Sequence, residues 1–267
     1  MNGRSARASS FLIRRIGSDH ALSGRRPDQL LAEEPMRIRL NGVDLTTTMR
    51  TPGHDFELAV GFCSSEGALS GTTVANVKYC ALGTASETDF NVVTVETTGP
   101  TPHVSQRLGS ITSSCGLCGH DSIEALAAHL APLPPYEPWP NNLLLNAPNL
   151  VGTHQKLFNS TGTAHLAAAI DRSGTILAAR EDIGRHNAVD KVVGRLVLDR
   201  KLDGLDRLLF VSSRASFEIV QKAWAAGFTA VVSVSGPSAL AVATARAAGM
   251  TLAGFTREDG ANLYSPA

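Results

Sequence analysis

Three short apolar runs, Leu208–Val211, Ala230–Val234 and Thr251–Phe255, alternate with alanine-rich segments of helical periodicity near the end of the chain. Runs this short and apolar on both faces suit strands covered on both sides, and their regular spacing by helices implies βαβ units. Ahead of them, Ala164–Ile170 and Ile176–Arg180 read as two strands joined by the turn Asp171–Gly174, and Asn149–Asn159 as a leading helix. Arg185–Asp199 reads as an amphipathic helix that buries Ala188, Val189, Val192, Val193, Leu196 and Val197. His186, Asn187, Asp190, Lys191 and Arg195 then fall on its exposed face. The order α-β-β-α-β-α-β-α-β predicts an α/β domain over 141–267 with a largely parallel sheet covered on both faces.

Upstream, residues 30–110 alternate β-like runs with turns. Met36–Leu40 closes on Asn41-Gly42, Asn91–Val95 alternates polar and apolar, and Asp55–Phe62 places Phe56, Leu58, Ala59 and Phe62 on one helical face. This predicts a small α+β domain. Residues 111–140 hold a cysteine loop, a short helix opened by the capping box Asp121–Glu124, and a stiff connector carrying Pro132, Pro134, Pro135, Pro138 and Pro140. Residues 1–29 carry Arg4, Arg7, Arg14, Arg15, Arg25 and Arg26 without an apolar targeting segment, and read as a mobile basic tail of a cytoplasmic protein.

Composition removes several classes. With 43% hydrophobic and 18% charged residues over 267 positions, the chain is globular rather than disordered. No run approaches the roughly 18 apolar residues of a membrane span. Lys+Arg and Asp+Glu are both 24, so the net charge is zero and general nucleic-acid binding, which rests on a basic surface, is disfavoured.

The sharpest local feature is Ser113-Ser-Cys-Gly-Leu-Cys-Gly-His120. Cys115 and Cys118 sit three apart on a glycine-bearing loop just before a predicted helix start, where a helix N-terminus lowers a thiol's pKa and favours a nucleophilic thiolate. A structural zinc site lacks a second Cys-x-x-Cys, and a thioredoxin-like pair would lie near the first strand of a βαβ unit. Two inert loop cysteines remain open on spacing alone. A zinc deaminase is excluded, because none of the 8 histidines begins a His-x-Glu and Cys115 follows Ser114 rather than proline. No permanently bound metal is expected.

Other candidates gather where strands end. Ser212–Ser216, with Arg214, follows one strand; Ser235–Ser238 follows the next; Phe255-Thr256-Arg257-Glu258-Asp259-Gly260 forms a loop after the last. Ligands of open α/β sheets bind beyond the carboxyl ends of the strands, although serines there serve equally as helix caps. Arg185, His186 and Asn187 open a helix, where backbone N–H groups face an anion, and the same face reads equally as a solvated surface. His165 and the Met49–Asp55 turn, with Arg50, are weaker signals.

Taken in order, Glu33-Glu34-Pro35, Asn41-Gly42, Met49–Asp55 with Glu57-Leu58 and Gly61-Phe62, Glu66-Gly67, Thr112–Gly119, Thr161-Gly162…His165, Arg180–Lys191, Arg214–Glu218 with Lys222, and Leu252–Arg257 resemble the formate dehydrogenase accessory sulfurtransferase, or FdhD, family. The chain departs from it at Thr163, usually glycine, and Cys63, usually aliphatic. The resemblance implies a cytidine-deaminase-like three-layer α/β/α domain at the C-terminus and a homodimer. It implies a sulfurtransferase that takes sulfur from a cysteine desulfurase as a cysteine persulfide. The sulfur then passes to the Mo or W bis(molybdopterin guanine dinucleotide) cofactor, a bound substrate, for formate dehydrogenase. On this pattern Cys115 carries the persulfide and Cys118 assists. The cofactor rests on Phe255–Gly260, with Arg214 and Ser235 beside it, while Arg185, His186 and Asp190 position it or the cysteine loop. A non-catalytic cofactor chaperone and a thiol–disulfide oxidoreductase are the rival readings.

Overall fold

The computed structural model describes residues 6–16, 24–69, 72–79, 90–98, 130–202 and 206–266. The paired cysteines Cys115 and Cys118, the capping box at 121–124 and Cys80 lie outside the described residues.

The chain begins with strands β1 (Ala8–Arg14) and β2 (Arg25–Leu31), which pair antiparallel as a separate hairpin sheet. Much of the stretch expected to be a tail is therefore a hairpin. Its charged and serine-rich residues hide the strand pattern, because most of them face solvent on both sides. Next come β3 (Glu34–Leu40), β4 (Val43–Arg50), helix α1 (Asp55–Ser65), β5 (Thr73–Tyr79) and β6 (Val92–Thr98). These strands form a four-stranded sheet in the order β4-β3-β6-β5. Met36, Ile38, Leu40, Val93 and Val95 point from it onto Leu58, Ala59 and Cys63 of α1. The Cys63 thiol is fully buried, and burial, with Asp190 nearby, pushes its pKa up to about 12. A thiol held neutral is inert.

The second unit holds α2 (Asn141–Leu150), a 3₁₀ turn (Gly152–His154), α3 (Lys156–Thr161), β7 (His165–Asp171), β8 (Ile176–Asp182) and α4 (Arg185–Leu198). It continues with β9 (Arg207–Val211), α5 (Phe217–Ala225), β10 (Ala230–Ser233), α6 (Ala239–Ala248), β11 (Thr251–Arg257) and β12 (Gly260–Ser265). Instead of one helix over 149–159 there are two, separated by the 3₁₀ turn at Gly152. The sheet order is β12-β11-β10-β9-β7-β8. Only β9, β10 and β11 run parallel; β7 is antiparallel to both β8 and β9, and β12 to β11. The expectation of a largely parallel sheet is corrected: β7 and β8 are joined by a tight turn, which can only make an antiparallel pair. Both faces are covered, one by α4, α5 and α6, the other by α2 with Trp139.

The two units meet along α1 and α4, which cross at a pair of glycines. A Cβ on Gly61 would lie 1.7 Å from the Asp190 carbonyl oxygen, and one on Gly194 would lie 1.8 Å from that of Glu57. This crossing overturns the solvated reading of α4. Asn187, Asp190 and Lys191 are 8%, 2% and 0% exposed, because α1 covers the face opposite the sheet. Their partners are not i,i+4 neighbours: Met49, Thr51 and Ser65 lie across the junction, and Asp182 and Lys222 in the same unit. Lys191 Nζ donates to Asp182 Oδ2 at 2.6 Å and to the Thr51 carbonyl at 2.9 Å. Asn187 Nδ2 donates to the Met49 carbonyl at 2.7 Å. Lys222 Nζ reaches Glu66 at 2.8 Å, Asp190 at 3.0 Å and Ser65 Oγ at 2.9 Å. Burial would lower the Lys222 pKa, but the Asp190 and Glu66 carboxylates outweigh it and raise it above the ordinary lysine value. Arg180 forks onto Glu57 at 2.5 and 2.7 Å. Buried pairs of this kind tie the units in one orientation, since stranding either partner alone costs about 3–5 kcal/mol. Among the described residues, no helix is long and apolar enough to cross a membrane.

Candidate functional site

One edge of the six-stranded sheet collects most of the predicted residues. The antiparallel course of β7 puts its first residue, His165, beside the carboxyl ends of β8 and β9. There the chain leaves β8 for α4, β9 for the Ser212–Ser216 turn and β10 for the Ser235–Ser238 turn. The turns are stitched together. Leu166 N–H donates to Ser212 Oγ at 2.9 Å, Ser238 N–H to the Ala215 carbonyl at 3.1 Å, and Phe255 N–H to the Ser235 carbonyl at 3.2 Å.

At the β11 end, Phe255 stands where a loop was expected. The strand runs on to Arg257, and the register shifts between Gly254 and Arg257. Phe255 occupies this bulge with φ 54°, a left-handed conformation that costs a non-glycine residue roughly 1–2 kcal/mol. The bulge re-aims the side chain. The ring lies across Gly236, where a Cβ would come within 2.6 Å of it, yet remains 51% exposed. It thus offers a flat apolar face to solvent. Arg257 Nη1 donates to the Val234 and Thr256 carbonyls, both at 2.7 Å, which fixes the guanidinium beside the Ser235 turn. Thr256 is fully buried, and its hydroxyl has no partner among the described residues. Glu258 and Asp259 form the exposed turn into β12, which begins at Gly260.

The other end lies three to four strands away, roughly 14–19 Å at the usual strand spacing. Arg185 opens α4 there, and its Nε is buried with no partner among the described residues. Burial, then the charge of Arg185, lowers the His165 pKa; the same two causes hold His186 at about 4, against 6.5 normally. His186 Nε2 lies 3.5 Å from Ser216 Oγ and 3.8 Å from Glu218 Oε2. Ser216 closes the Ser212–Ser216 turn and Glu218 ends the Arg214–Glu218 match, but nothing in the sequence pairs either with His186, which lies 30 residues before Ser216. Arg214 is exposed between the two ends. The structure thus brings Phe255, Arg257 and Ser235 together at one end, and Arg185, His186 and His165 at the other. Asp190 joins neither group; it is buried against Ser65 and Lys222. Among the described residues, no cluster of His, Cys, Asp and Glu could hold a metal ion.

The His186 environment has a measurable consequence. The unfolded chain protonates this ring near 6.5 and the folded one only near 4, so stability is lost as pH falls through that window. After allowing for partial exposure, the loss attributable to His186 is about 1–2 kcal/mol. Urea unfolding of wild type and His186→Gln at pH 7 and pH 4.5 checks it. The wild-type midpoint is expected to drop further than the variant's, and equal drops would refute the assignment.

A sheet edge with an exposed aromatic ring, oriented arginines and helix N-termini can hold an extended polyanion with a base at one end. The comparisons with known proteins bear on which. A family model described as the FdhD/NarQ family matches residues 31–267. The chain is 42% identical over 250 residues to the Sulfur carrier protein FdhD of Corynebacterium efficiens, covering 90% of each. It is 45% identical over 251 residues to that of Streptomyces coelicolor, covering 91% of this chain and 89% of the relative. In fold it is similar to a crystal structure of a Desulfotalea psychrophila protein described as a formate dehydrogenase accessory protein, with a TM-score of 0.72, 21% identity and 97% and 96% of the two chains covered.

Proposed function

Since the chain belongs to the FdhD/NarQ family, we propose that it is a sulfur carrier serving formate dehydrogenase, with Cys115 as the atom-bearing residue. The observation that carries this reading is the similarity, over nine-tenths of the chain, to curated sulfur carrier proteins. The Cys-x-x-Cys loop supplies the chemistry. The Cys115 thiolate attacks the outer sulfur of a cysteine desulfurase persulfide; the S–S bond breaks, the desulfurase thiolate leaves, and Cys115 holds the sulfur. Attack of the Cys118 thiolate on the Cys115 sulfur then expels hydrosulfide for the acceptor and leaves a disulfide that an external dithiol reduces. The buried, high-pKa Cys63 takes no part.

The acceptor is the Mo or W bis(molybdopterin guanine dinucleotide) cofactor, bound as substrate along the sheet edge. A guanine stacks on Phe255, and the pyrophosphates follow Arg257, Arg214 and the Ser235 turn toward Arg185 and His186. The two-sided sheet is read as the cytidine-deaminase-like domain, and the working unit as a cytoplasmic homodimer.

In cells lacking their own carrier, the wild-type chain and Cys63→Ala are expected to restore formate dehydrogenase activity, and Cys115→Ala to restore less than about 1% of it, as loss of a nucleophile does. Activity with Cys115→Ala equal to wild type would favour a chaperone that needs no thiol.

A further inference from the structure

The Met49–Asp55 segment, which the sulfur-carrier reading leaves unused, forms one wall of a cavity away from the sheet edge. It holds about 500 Å³ beside the start of α1, is open to solvent on one side, and its lining includes Arg7, Gly53, His54, Phe56, Tyr79 and Phe90. That volume is in the range of small-molecule sites.

Three independent observations say what it would hold. The first is Arg7, which lines the cavity. Its Nη2 donates to the Glu181 carbonyl at 3.5 Å, and its Cδ and Nε pass 3.6 Å from where a Cβ on Gly53 would sit. Gly53, at φ +100°, is the residue type that this turn requires. The guanidinium is thus held in place while its Nε is buried with no partner among the described residues. A buried donor without an acceptor is rare in folded proteins.

The second is the charge balance. The carboxylates of the lining already have cations: Asp55 takes both Nε and Nη2 of Arg50, and Glu57 takes Arg180 and Arg195. Neither carboxylate bonds Arg7, and among the described residues no carboxylate lies within ion-pair distance of its guanidinium, whose acceptor is the Glu181 carbonyl. The third is the opposite wall. Phe56 and Tyr79 pack with ring centroids 4.6 Å apart, and Tyr79 and Phe90 at 5.2 Å edge to face. Both His54 and Phe90 are held at φ 58°, a conformation non-glycine residues adopt at a cost, and such strain concentrates at ligand clamps.

The geometry points to a binding site for a small aromatic carboxylate, its ring against Phe56, Tyr79 and Phe90 and its carboxylate on Arg7. Indole-3-acetate is a suitable probe, and indole-3-ethanol its neutral counterpart. Calorimetry and amide chemical shifts on the full chain are expected to give saturable binding of the acetate, with shifts at Gly53 and His54. Indole-3-ethanol is expected to bind at least tenfold more weakly. Arg7→Gln should reduce the acetate to the level of the alcohol, whereas Phe56→Leu should weaken both probes. Equal binding of the two probes, shifts confined to Phe255–Arg257, no saturation by 10 mM (about the weakest affinity such a cavity would show), or an unaffected Arg7→Gln would each overturn the proposal.

Discussion

A Gly194→Ala chain is expected to lose about 3 kcal/mol of stability or more, and to accumulate largely unfolded at 37 °C. The added methyl carbon would sit 1.8 Å from the Glu57 carbonyl oxygen and 2.8 Å from the Gly61 nitrogen. These are backbone atoms in the middle of a packed helix, so no side chain can rotate away. Relief requires α1 and α4 to separate, which breaks the crossing that joins the two units. Separation would also draw Arg180 off Glu57 and Lys222 off Glu66, leaving buried charges without partners. Gly61→Ala should behave alike, since its Cβ would meet the Asp190 carbonyl at 1.7 Å. Gly152→Ala is the control, because nothing lies within 4 Å of its Cβ position. Urea unfolding of the three variants decides the matter; a Gly194→Ala midpoint matching the control's would mean that the helices are not in backbone contact.

The parts of this fold legible in the sequence were those whose burial is complete and whose partners are near in the chain. β9, β10 and β11 are apolar on both faces, and their runs fall within a residue or two of Leu208–Val211, Ala230–Val234 and Thr251–Phe255. α4 was equally plain on its sheet-facing side. Its other side was not, because Asn187, Asp190 and Lys191 spell a solvated surface until α1, some 130 residues earlier, is laid over them. Gly61 and Gly194 were the available signal, for a glycine inside a helix costs stability unless something passes close to it. The hairpin was hidden by arginines and serines, and β12 by its mostly exposed residues.

At the site, the convergence of Ser212–Ser216, Ser235–Ser238 and Phe255–Arg257 followed from the rule that ligands gather beyond strand carboxyl ends. The antiparallel placement of β7, which carries His165 to that edge, did not. Nor did the bulge at Phe255, where φ 54°, against the usual preference of a phenylalanine, coincides with the register shift to β12. Asp190, read as positioning the cofactor or the cysteine loop, lies inside the junction with its carboxylate on Ser65 and Lys222, away from both groups of sheet-edge residues.

The proposed carrier role of Cys115 can be read directly from mass. Wild type, Cys115→Ala and Cys118→Ala would each be incubated with a cysteine desulfurase and cysteine and weighed intact by mass spectrometry, before and after reductant. Persulfide formation adds one sulfur atom, about 32 Da, to a thiolate and is reversed by dithiol. The expected result is a reducible one-sulfur adduct on wild type and Cys118→Ala and none on Cys115→Ala. No adduct on wild type, under conditions that load a known acceptor, or an adduct that survives in Cys115→Ala, would contradict the assignment of Cys115 as the carrier.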